Sequence, residues 1–169
     1  MNRRTWHNGH VHIDVRHHYD ASAAVVRKML GDPEFWKECL PDRTETCRVE
    51  AIPDGVCMDL TVRAPVRFRR FVGAGLSARM TVAWRHEEGS GRWVGPVAFK
   101  PDKVPGTFAG TCTITPDGMS AAAVSYDGDF TVQIPVVGKV IEQQAMPYLS
   151  RTLDAQQAQG ELWLAKHPH

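Results

Sequence analysis

The chain has 169 residues, with 20 Lys plus Arg against 19 Asp plus Glu and a net charge of +1, so no overall field draws it toward nucleic acid or an anionic bilayer. A hydrophobic content of 43%, a charged content of 23%, 14 Gly and 11 Pro fall within ordinary globular usage and exclude disordered, collagen-like and low-complexity classes. One domain over residues 1–169 is expected, with flexible ends at 1–8 and 166–169.

The N-terminal run MNRRTWHNGHVHIDV has two arginines but no apolar stretch behind them, and nothing later approaches the ~20 apolar residues of a membrane span. A cytoplasmic protein without stable membrane insertion is the expectation. Val11, Ile13, Val15 and His17 alternate with His10, His12, Asp14 and Arg16, the period of two that marks a half-buried first strand, with His17 on the dry parity. Residues 21–30 and 33–40 predict two short helices. Asp20 or Ser22 is available as N-cap of the first, and Asp32 caps the second with Pro33 in its first turn.

From there to about residue 134, short alternating runs are divided by turn signals at 53–55, 87–91 and 115–118, which predicts antiparallel strands. Val56, Met58, Leu60, Val62 and Ala64 form one dry face in 56–64. Met80, Val82, Trp84 and His86 form another in 79–87. In 107–115 Phe108, Gly110, Cys112 and Ile114 share a parity, and in 121–134 Ala122, Val124, Tyr126, Phe130, Val132 and Ile134 do. A strand that long is expected to bulge or bend at Asp127-Gly128-Asp129 and let the sheet curl.

After Pro135 the period becomes helical: Val137, Ile141, Ala145, Tyr148, Leu149, Thr152, Gln156 and Trp163 fall on or near one stripe of a helix from about 138 to 165, with Pro147 placed to kink it. The order predicts an α+β fold in which a curved antiparallel sheet wraps a long C-terminal helix, two short helices following the first strand. One helix and a strongly curled sheet leave an apolar cavity between them as a by-product.

YDASAAVVRKMLGDPEFW after the first strand, the polar-edged strands, and above all IPVVGKVIE (134–142) carry a resemblance covering nearly the whole chain. The sequence resembles the START-like superfamily (helix-grip fold, SRPBCC) and, within it, the actinobacterial DUF2505 family, whose motif at the terminal helix is similar to V-P-L-V-G-G-K-I-E. Asp20 stands where the family tends to have Pro, and Lys139 where it tends to have a second Gly. The resemblance implies a helix-grip cavity for a hydrophobic small molecule and carries over no catalytic residue.

The candidate lining follows from the dry parities. From the sheet come His17, Met58, Leu60, Val62, Met80 and Val82, then Trp84, Trp93, Phe108, Val124, Tyr126 and Phe130; Ile141, Ala145, Tyr148 and Leu149 come from the helix. A binding or transport protein for a lipid-like or polyketide-like molecule is the first expectation. A cyclase- or dehydratase-type enzyme using His17, Tyr126, Tyr148 or Glu142 to move protons is the alternative, and an interaction module with a filled core the third. Glu142 also suits a helix-start stabiliser. His10 and His12 share a strand face that suits either a metal ion or a solvated surface, but Arg16 on that face favours the surface, so no metal is expected. No cofactor is expected either. Cys39, Cys47, Cys57 and Cys112 lack a C-x-x-C pair and are expected as small core hydrophobes. Residues 64–78 combine Arg67, Arg69 and Arg70 with Phe68 and Phe71, which suits a cavity lid, transient membrane contact or a plain connection; the oligomeric state is not legible.

Overall fold

A computed structural model describes the backbone of residues 6–7, 10–103 and 105–168; the side chains of residues 6, 7 and 10 lie outside the description, and with them the solvated-surface expectation for His10. Expectations for residues 1–5, 8–9 and 169 also lie outside the described residues. A curved nine-stranded antiparallel sheet runs in the order β1-β2-β9-β8-β7-β5-β4-β3, with β6 paired to β7. Its strands are β1 (Trp6–His7), β2 (His10–Tyr19), β3 (Thr44–Ile52), β4 (Gly55–Arg63), β5 (Gly75–Ala83), β6 (Arg85–Glu87), β7 (Arg92–Pro101), β8 (Gly106–Asp117) and β9 (Ala121–Val132). Helices α1 (Ala23–Leu30) and α2 (Pro33–Glu38) follow β2. A 3-10 turn (Val66–Phe68) and α3 (Arg69–Val72) join β4 to β5, and α4 (Gly138–Lys166) closes the chain.

The local signals explain the early elements. Ser22 caps α1 by accepting the Val25 N–H, and Asp32 caps α2 by accepting the Glu34 N–H at 2.9 Å. The apolar stripe of α1 buries Val26, Met29 and Leu30. Phe35 and Trp36 of α2 join them, and the Trp36 indole donates to the Leu30 carbonyl at 2.7 Å. The alternation of β2 holds through Tyr19: Val11, Ile13, Val15, His17 and Tyr19 are all buried.

Three expectations are corrected. The run 79–87 is not one strand: the Trp84 N–H turns aside to the Asp54 carbonyl at 2.8 Å, β5 ends at Ala83, and His86 is exposed. Of the bulge or bend expected at 127–129, the bulge is absent, because β9 keeps unbroken register with both β2 and β8. Instead Gly128 faces Gly110 across the ladder, where a Cβ on Gly128 would lie 2.6 Å from the Gly110 Cα and 2.8 Å from the tip of the Phe108 ring. Two facing glycines let the strands pass closely beneath that ring. Thr152 is exposed, not on the buried stripe.

Helix α4 continues through Pro147, whose side is exposed. It packs chiefly on β2 and β9, with α1 and α2 against it. At its far end Gly160 lies over the Tyr19 ring, and Trp163 meets Phe35 edge-on at 5.7 Å. At its start the buried Glu142 accepts the Val132 N–H at 2.7 Å, which docks the helix on the last residue of β9.

Candidate functional site

The register fixes what lines the concave face. Val49, Met58, Met80, Phe99, Phe108, Phe130 and Val11 form one continuous cross-strand row through β3, β4, β5, β7, β8, β9 and β2. Beside it, toward the end where β4 finishes and β5 begins, Cys47, Leu60, Ala78 and Pro101 form a second row and Val62 pairs with Leu76.

The two halves of this face differ. Under α1, α2 and the second half of α4 the interior is solid: Val56, Val82, Trp84, Cys112, Ile114 and Val124 are all buried. Toward the other end, Leu60, Val62, Leu76, Met80, Phe99 and Phe108 are half-buried, although their strands have neighbours on both sides. Solvent therefore reaches them over the concave face. Because α4 packs chiefly on β2 and β9, the facing wall of β4, β5 and β7 is the less covered side of an apolar trough. Across its mouth the 3-10 turn sends buried Phe68 against the Tyr148 ring at 6.2 Å between centroids. Residues 64–78 thus divide into a short helical lid and the start of β5. An open groove of about 700 Å³ is lined by Asp59, Thr61, Arg79 and Lys100 of the outer face together with Cys47, Leu60, Ala78 and Pro101, and another of about 420 Å³ by Pro53, Trp84, Arg85 and Thr111.

The expected lining residues are split by this division. Met58, Val82, Trp84, Val124, Tyr126 and His17 belong to the solid half, whereas Leu60, Val62, Met80, Phe108 and Phe130 face the trough half. Ala145, Tyr148 and Leu149 of α4 are half-buried, Ile141 is buried at the helix start, and Trp93 is half-buried against the His86 ring. Leu76, Phe99 and Phe68 were not among the expected lining. Phe99 had a signal, since it shares the parity of Trp93 and Val97 on β7.

The four acid–base candidates do not converge. His17 and Tyr126 meet edge-on at 5.5 Å, both buried, and Tyr126 Oη accepts from Gln156 Nε2 at 2.5 Å. His17 Nδ1 lies 3.5 Å from Tyr19 Oη and its Nε2 has no partner among the described residues. Burial pushes the His17 pKa below its ordinary value, against a weaker upward pull from Asp154, so the ring is held neutral. Burial likewise raises Tyr126 well above the usual phenol range and pushes the Cys112 thiol up to about 12. Glu142, 14 residues before Gln156 on α4, lies about 21 Å along the helix from this cluster and spends one carboxylate oxygen on the Val132 N–H. Tyr148 turns to the mouth, where its oxygen accepts from Arg67 at 2.9 Å. Tyr19 and Gln156 complete the buried polar cluster; Tyr19 continues the parity of His17, and Gln156 lies on the helical stripe. The His12 ring lies on the outer face, 3.0 Å from Asp129.

The family model described as a protein of unknown function, DUF2505, matches residues 14–164. The chain belongs to the DUF2505 family. Solved structures place this DUF2505 chain in the START-like helix-grip fold. A STAR-related lipid transfer protein from Xanthomonas axonopodis is similar at 18% identity and a TM-score of 0.62, over 94% of this chain and 90% of that one. A START superfamily protein from Mycobacterium smegmatis is similar at 18% identity and a TM-score of 0.57, over 91% and 99%. The aromatase/cyclase Zhui from a Streptomyces species is similar at 12% identity and a TM-score of 0.60, over 88% and 90%. No curated protein matches the sequence. No helix among the described residues is long and apolar enough to cross a membrane.

Proposed function

We propose that the protein binds a hydrophobic small molecule, lipid-like or polyketide-like, in the trough between α4 and the β4–β5–β7 wall. The observation that carries this is the half-open state of Leu60, Val62, Leu76 and Met80 on strands that are not edges. Isolated exposed apolar residues need no explanation, but a contiguous concave row does. Each 100 Å² of apolar wall covered by a ligand contributes about 2.5 kcal/mol before the costs of association. The shared fold with a protein named for lipid transfer and with an aromatase/cyclase supports a ligand site in this place. The cytoplasm is the proposed setting, and exposed Val66 beside Arg67, Arg69 and Arg70 suits brief contact with a membrane surface during loading.

Proton-transfer chemistry has less support, since only His17 and Tyr126 meet and both are sealed beneath α4. Native mass spectrometry of the purified protein, with displacement of a neutral apolar fluorophore such as Nile red, tests the binding proposal. A copurified or exchangeable apolar ligand is expected, and Met80→Trp, which fills the trough, is expected to weaken binding about tenfold or more with the fold intact by circular dichroism. Absence of any bound or bindable apolar molecule, or undiminished binding by folded Met80→Trp, refutes it.

A further inference from the structure

We infer that the mouth of the trough is a receptor for an anionic headgroup, carboxylate or phosphate, so that the ligand is an acidic amphiphile. This rests on the trough being the binding site.

Two guanidiniums converge on one phenol there. Arg67 donates from Nη2 to the Tyr148 oxygen at 2.9 Å with its Cζ 5.2 Å from the ring centroid, and the Arg43 Cζ lies 6.0 Å from the same centroid. Four arginines on the strands are matched with acids: Arg48 with Glu50, Arg63 with Glu45, Arg79 with Asp59 and Arg92 with Glu87. Among the described residues no carboxylate comes within ion-pair distance of Arg43 or Arg67. Two like charges held around one ring repel, and a shared anion removes that repulsion. Because Arg67 donates to the Tyr148 oxygen, the phenol proton remains available as a third donor to an oxyanion.

The polar site is continuous with the apolar one. The Tyr148 ring also meets the buried Phe68 edge-on, and the Arg67 Cζ lies 5.2 Å from the Phe68 ring centroid. An acid group at the mouth with its chain directed inward satisfies both surfaces at once; a neutral amphiphile leaves the guanidiniums without a counter-ion.

Calorimetric titration at pH 8 and low salt compares decanoate, decyl phosphate and decanol, each below its aggregation concentration. The expected result is that at least one acid binds about tenfold more tightly than decanol, the stronger of the two reporting which headgroup fits. Arg43→Gln with Arg67→Gln is expected to erase that preference, bringing the acids to the affinity of decanol. Tyr148→Phe, a milder change, is expected to reduce it about threefold. Arg48→Gln, an equal loss of charge on the outer face, is expected to keep it. Equal affinity for acids and decanol in the unaltered protein, or a preference that survives loss of both arginines, overturns the inference while leaving the trough standing. If none of the three molecules binds, the trough reading falls and the headgroup site with it.

Discussion

Replacing Gly138 by Ala tests whether the start of α4 is held on β9 by contact geometry. By propensity alone the change should help, since Ala in a helix is favoured over Gly by about 1 kcal/mol. The backbone angles do not demand glycine here, as Gly138 is not among the residues with positive φ. What demands it is Val132: a Cβ at 138 would lie well inside van der Waals contact of the Val132 carbonyl oxygen, a backbone atom in a paired strand with little freedom to move. Relieving the overlap requires a displacement on the order of 1 Å. That would stretch the 2.7 Å bond from the Val132 N–H to Glu142 beyond hydrogen-bond range. Losing a bond to a charged acceptor, with both groups left buried, costs about 1.5–3 kcal/mol or more, and the propensity gain offsets part of it. A net loss of about 0.5–2 kcal/mol is expected. At roughly 2–4 °C per kcal/mol for a domain of this size, the midpoint should fall by about 1–8 °C. Urea and thermal unfolding followed by circular dichroism measure it, with the exposed neighbour Lys139→Ala as a control within about 0.5 kcal/mol. Because both effects pass through one junction, Gly138→Ala and Glu142→Gln should combine less than additively. A Gly138→Ala protein as stable as the parent, or more stable, would refute the reasoning.

Two further outcomes follow from burial. The folded-state pKa of His17 is depressed below the unfolded value near 6.5, so the unfolded chain binds the proton first; stability is complete above about pH 6.5 and is lost as pH falls toward the folded pKa. His17→Gln should flatten the stability-versus-pH slope between pH 7 and 5 relative to the parent; an unchanged slope would show that the ring is not held neutral. Cys112, fully buried with its thiol pushed up to about 12, should resist iodoacetamide at pH 8 until global unfolding, whereas half-buried Cys57 on the outer face is modified in the native protein. Peptide mapping of the labelled protein decides this, and native-state modification of Cys112 would contradict the packed interior.

Much of the fold was legible because its signals are local. Alternation along β2, β4, β8 and β9 reports which face is dry, the caps at Ser22 and Asp32 are side-chain bonds spanning two or three residues, and the change of period after Pro135 marks α4. The break at Trp84 was not legible, because it depends on the Asp54 carbonyl capturing a backbone N–H from 30 residues away. The absent bulge was not legible either: Gly128 by itself suggests an irregularity, and only its register opposite Gly110 shows the two strands passing closely in step.

The sequence alone determined the class of element at nearly every position, the helix-grip order and the family, since periodicity and motif reside in neighbouring residues. It also marked the oily face from which the trough is built. Only the tertiary structure decided how far across that face one helix reaches. A stripe of apolar residues states that a helix is covered on one side but not by which strands; α4 settles chiefly on β2 and β9, leaving the ends of β4, β5 and β7 less covered. Pairings such as Tyr148 with Arg67, Glu142 with Val132 and Gln156 with Tyr126 depend on that same docking, because each joins groups whose separation is set by strand register and helix placement rather than by spacing along the chain.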